Sequence, residues 1–233
     1  MRRHYGFTLL EITIVLVIIG LLLGGVLKSQ ELITNVRVRN LIAQQDGVKA
    51  AVLGFLDRYH AYPGDYSQAQ ANVPGCAACA QGNNNGEIRS IAGGDAIDEH
   101  IAAWEHLSRA GFINASYAYA VSPETETSAP TNPYARYLRL IYDNTYGSGT
   151  SPARHNLKTG NQIPSDMLAE VDRKIDDGVA TSGTFQYSAY DGGGSGGDDD
   201  TAPKGSGSCY QAAAVNNWTA NNSEANCGGA GLF

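Results

Sequence analysis

The chain has 233 residues, enough for one domain of comfortable size or two small ones, and its 42% apolar content is ordinary for a folded protein. Its 16 basic residues against 23 acidic ones give a formal net charge of −7. That balance argues against nucleic acid as the main partner, since no basic patch is large enough to neutralise many phosphates.

The N-terminus is the most informative part. Residues 1–6 read MRRHYG and residues 7–27 read FTLLEITIVLVIIGLLLGGVL. From Phe7 to Leu27 the run reaches the roughly 20 apolar residues that a helix needs to span a bilayer. Glu11 stands inside it, where a carboxylate costs about 2.5–3.5 kcal/mol near the membrane centre. A cleaved secretory signal fits poorly: the run exceeds the usual apolar region, and no small-x-small site follows it. A plain uncleaved anchor leaves Glu11 without a role, and a lipoprotein is excluded because no cysteine lies near the run.

The segment Gly6-Phe7-Thr8-Leu9-Leu10-Glu11, after a short basic leader and before an apolar helix, resembles the processing motif of type IV pilins and type II secretion pseudopilins. The resemblance covers residues 1–59. It implies cleavage after Gly6 by a prepilin peptidase, methylation of the new Phe7 amine, and an inner-membrane assembly platform as a partner. It also implies a leader in the cytoplasm, a head in the periplasm, and later a place in a filament with other pilin-like subunits. Charge alone does not decide orientation, because Arg2 and Arg3 precede the span while Lys28, Arg37 and Arg39 follow it. In a filament, Glu11 of one subunit can pair with the Phe7 ammonium of its neighbour. Such a pair sets register more than it adds stability.

Beyond the span, Leu41, Gln45, Val48, Val52, Phe55 and Tyr59 recur at spacings of three and four and predict a continuing helix. Pro63-Gly64-Asp65 closes it. The expected divisions are a leader at 1–6, a membrane and filament-core helix at 7–27, its continuation at 28–59, and a head at 60–233. Gly20, Gly24 and Gly25 lower helix propensity, which suits either local stretching or close helix packing.

The head reads as α+β, with an antiparallel sheet packed on the long helix. Helices are predicted at 96–109, with Ile97, Ile101, Trp104 and Leu107 on one face, and at 165–177, stopped by Gly178. Strands are predicted at 117–121, 134–142, 184–190 and 208–215. Residues 72–95 and 191–208 read as flexible by composition, and the residues after Cys227 as a tail beyond the last cysteine.

The four cysteines suggest two local disulfides in an exported chain. Cys76-Ala-Ala-Cys79 also has the form of a zinc or redox motif, although no second pair completes a zinc site. The resemblance implies that Cys209 and Cys227 close a C-terminal loop. Asp191, Asp198, Asp199 and Asp200 in a glycine-rich loop invite calcium, against the plainer reading of a solvated acidic loop. His100 and His106 lie six residues apart and begin no His-Glu-x-x-His pattern, no nucleophile elbow is present, and an enzyme is not expected. The expected role is a structural filament subunit. The alternative is a minor pilin at a filament tip, whose head contacts cargo, a surface or DNA.

Overall fold

The computed structural model describes residues 8–193, 203, 205–211, 215–221 and 223–233. Helix α1 runs Leu9–Tyr59, about 77 Å at 1.5 Å per residue. Thr8 caps its start by accepting the Glu11 N–H at 3.2 Å. His60, in the left-handed region at φ 54°, closes it through an N–H bond to the Leu56 carbonyl. The short α2 (Ala69–Asn72), α3 (Glu99–Arg109), β1 (Arg139–Asp143), β2 (Arg154–Lys158), α4 (Ser165–Ile175), β3 (Phe185–Tyr187) and β4 (Gly229–Leu232) follow.

The strands form an antiparallel sheet in the order β1-β2-β4-β3. Leu140 faces Leu157, Leu157 faces Gly231, and Gly231 faces Phe185, which makes one apolar row across the sheet. The second half of α1 lies on the head and buries Val38, Leu41, Gln45, Val48, Val52 and Phe55. This is the predicted stripe, extended one turn toward the N-terminus. Val48, Val52 and Phe55 join Trp104, Leu107, Leu140 and Leu157 in one core. Val38 and Leu41 join Leu168, Val171, Phe185 and Trp218 in another. Each such apolar side chain removed from water contributes about 1.5–3 kcal/mol, so the helix is the shared floor of both cores.

Several expectations change. The chain after Cys227 is no tail: it supplies β4, an inner strand. Its glycines hid it from a pattern search, yet they are why it fits. A Cβ at Gly229 would run into the Phe185 ring, and one at Gly231 into the Gln45 amide oxygen. Gln45 therefore sits in an apolar stripe because it covers a bare strand. β2 was also hidden, since Arg154, Asn156 and Lys158 do not read as strand formers. No strand forms at 117–121, where a backbone bond joins Ala118 to Thr127. The described part of 208–215 makes bridges and turns instead, with Tyr210 bridging to Ser206 and Trp218.

Residues 72–95 are tied down rather than loose. α3 buries Glu99, His100, Glu105 and His106 as well as its apolar face, because this segment wraps it. Glu99 accepts the N–H groups of Asn83 and Arg89, each at 3.1 Å. Glu105 accepts from Ala80 at 3.1 Å. His106 accepts the Gly64 N–H on Nδ1 at 2.9 Å, and its Nε2 lies 2.8 Å from the Ala80 carbonyl. Asp65 accepts from Asn85 and Gly86, each at 2.9 Å. A composition of Gly and Asn looked disordered, but side chains from elsewhere satisfy its backbone.

Candidate functional site

Residues 8–37 of the described chain are exposed throughout; Arg37 already reaches the head, donating to the Tyr134 hydroxyl at 3.3 Å, and Val38 is the first buried residue. The part of α1 before Arg37 is about 42 Å long at 1.5 Å per residue. It presents Leu, Ile and Val on every side, from Leu9, 82% exposed, to Leu27, 69% exposed. A helix apolar all round is not at rest in water. Its length and composition suffice to cross a membrane. Hydroxyl side chains within it bond back to the helix, Thr13 to the Leu10 carbonyl at 2.8 Å and Ser29 to that of Gly25 at 2.9 Å, so they expose no unmet donor. Beyond Leu27 a Lys28–Glu31 pair at 2.7 Å marks the return of charge.

Glu11 sits in the first turn of α1, where the positive end of the helix favours a carboxylate. Gly6 and Phe7 lie outside the described residues, so the expected junction has no geometry here. Around Gly20, Gly24 and Gly25 nothing lies within 4 Å of an added Cβ. Within one chain, then, no neighbour requires these glycines.

In the head, Cys76 bridges Cys79 and Cys209 bridges Cys227, with Cα–Cα separations of 4.9 and 5.6 Å. In this bridged form neither Cys76 nor Cys79 offers a thiolate to a metal ion. Of the acidic loop, Asp191 accepts the Gly193 N–H at 3.1 Å, and Asp198, Asp199 and Asp200 lie outside the described residues. His100 and His106 are both buried and do not converge on one point.

Two groupings escaped the sequence reading. Glu124, fully buried, accepts both Nε and Nη2 of Arg139 at 2.6 and 2.9 Å and the Tyr190 hydroxyl at 3.1 Å. His100 Nε2 stands 3.4 Å from the same carboxylate. Burial alone would raise its pKa, but His100 and Arg139 outweigh it and hold the carboxyl well below the usual range. The other grouping is Asp172, Asp176 and Asp177 at the end of α4. Burial, with Asp177 and Asp176 nearby, pushes Asp172 up to about 6 against the bond from Trp218. Trp218 is buried, not exposed, and its Nε1–H reaches Asp172 Oδ2 at 2.7 Å. A visible signal existed, since acids in the last turn oppose the helix dipole.

Against known proteins, residues 1–27 match the prokaryotic N-terminal methylation motif. The match covers residues 1–8 and the apolar start of α1 as far as Leu27, and it is the signature of type IV pilins and pseudopilins. No curated protein and no solved structure matches the chain.

Proposed function

We propose that this chain, which carries the type IV pilin and pseudopilin signature, is a structural subunit of a type IV pilus or a type II secretion pseudopilus. The observation that carries the reading is the joining of that motif to an apolar half-helix with no contact to its own head. A prepilin peptidase removes residues 1–6 and methylates Phe7. The free half of α1 first rests in the inner membrane and then packs with neighbours in the filament core, with the head on the periplasmic side. Such head-to-tail association does not close, which suits a helical array. Glu11 meets the neighbour's Phe7 amine and fixes the register. The motif's proteins are structural, which supports a subunit without turnover of its own.

The test is co-expression with a prepilin peptidase, read by intact mass. The expected result is loss of residues 1–6 and gain of one methyl group, with Gly6→Ala left uncut. Glu11→Ala should insert and be cleaved yet assemble poorly. An uncut wild-type chain beside a cut control pilin would reduce α1 to an anchor, and normal filament yield from Glu11→Ala would remove the register role.

A further inference from the structure

We infer that Thr8 is a positioning residue for leader removal: as the N-cap of α1 it stops the helix at Leu9 and keeps the Gly6–Phe7 peptide bond open to the peptidase. The inference rests on the filament-subunit reading and adds to it a role for a residue outside the cleaved pair. The cut adds one water across that bond, leaving a carboxylate on Gly6 and a free amine on Phe7. The Gly6 carbonyl therefore has to be reached from outside the helix.

Thr8 is held in extended backbone, at φ −78° and ψ 150°, while α1 begins at Leu9. Its hydroxyl accepts the Glu11 N–H at 3.2 Å, and its carbonyl accepts the first helical bond, from the Ile12 N–H at 3.4 Å. With Glu11 three positions after it, and Phe7 and Ile12 flanking the pair in the sequence, Thr8 has the spacing of a capping box with an apolar staple. An apolar helix without such a cap runs on, because in lipid every N–H must find an acceptor. The Glu11 N–H would then bond the Phe7 carbonyl four residues back, and the Leu10 N–H the Gly6 carbonyl. That second acceptor is the carbonyl the cut requires.

Packing gives threonine no other role here. Thr8 is exposed, as is Leu9, so nothing in the head selects for the shape of either side chain. What distinguishes threonine from the equally branched valine at this position is the acceptor oxygen. The bond it takes comes from the Glu11 backbone, so Glu11→Ala leaves the cap in place and should still be cleaved. Losing an N-cap shifts the balance between the two helix starts by on the order of 5-fold. A substrate whose competent form is a smaller fraction of the whole is engaged less well in proportion.

The test is the initial rate of cleavage of the full-length, uncut chain by a prepilin peptidase in detergent micelles, read by intact mass. The backbone carbon shift of isotopically labelled Phe7 in the same uncut chains reports where the helix starts. Thr8→Ser and Thr8→Asn keep a capping oxygen and should be cut as fast as wild type. Thr8→Val should be cut more slowly, by up to about 5-fold, with the Phe7 shift moving toward helical values. Adding Leu9→Pro to Thr8→Val should restore both rate and shift, since proline suits the first helical position and forces the residue before it out of the helix. This double variant restores the helix start without the hydroxyl. The inference is overturned if Thr8→Val is cut at the wild-type rate, or if Thr8→Ser and Thr8→Asn are as slow as Thr8→Val. It is equally overturned if the double variant regains the Phe7 shift but stays slow, since the peptidase would then read the hydroxyl itself. An uncut wild type beside a cut control pilin would instead bring down the filament-subunit reading, and this inference with it.

Discussion

Replacing Glu124 with alanine should unfold the head earlier than any surface change of similar size. The side chain is wholly buried and answers to three elements: Arg139 on β1, His100 on α3 and Tyr190 after β3. Removing one partner of a buried pair costs about 3–5 kcal/mol, since the other charge stays behind unpaired. Arg139 retains 25% exposure, so it can regain some water, and the low end of about 3 kcal/mol applies. For a head of this size that corresponds to a fall in Tm of about 6–12 °C. The assay is thermal unfolding of the detergent-solubilised chain by circular dichroism. A double variant with Arg139→Met should lose much less than the two singles together. The folded carboxyl has a depressed pKa, so its contribution is present above the unfolded value and is lost as pH falls below it. The penalty of Glu124→Ala should therefore be constant near neutral pH and shrink in acid. A Tm within 1 °C of wild type, or strict additivity of the two singles, would refute the reasoning.

Three further outcomes follow from the same structure. His155 is stacked on Tyr62 with centroids 3.9 Å apart, and burial lowers its pKa to about 4, with Glu87 pulling the other way. Below the ordinary histidine value of about 6.5 the unfolded chain takes a proton that the folded one refuses, so stability present above pH 6.5 is lost as pH falls toward 4. His155→Phe removes that loss, and urea unfolding at pH 7 and pH 4 should show its deficit against wild type move by about 3 kcal/mol in the variant's favour. Gly229→Ala should cost about 1–3 kcal/mol, because its methyl group meets the buried Phe185 ring; an unchanged denaturant midpoint would count against the tight packing of β4. Opening Cys209–Cys227, which spans 18 positions, by Cys→Ser changes at both ends should cost about 3 kcal/mol, read as a lower urea midpoint.

How much could be seen without coordinates differs by element. The stripe from Leu41 to Tyr59 and the helix of 165–175 were legible, because one side of each faces the core and burial writes a 3.6-residue period. The burial of the polar side of α3 left no mark in the sequence, since the covering chain comes from residues 72–95 and leaves no period of its own. The Glu124–Arg139 pair joins residues 15 apart, and Asp172 meets Trp218 across 46. Nothing local announces either pair.

The sequence by itself determined the N-terminal half: a motif, a glutamate and an unbroken apolar run need no partner to be read, because helix formation and membrane affinity are summed along the chain. Tertiary structure alone decided β4, the cradle around residues 80–89 and the acid cluster of α4. In each, a glycine, an asparagine or an aspartate takes its role from atoms far away in the chain. Steric fit, backbone hydrogen bonds and charge proximity exist only once those atoms have been brought together.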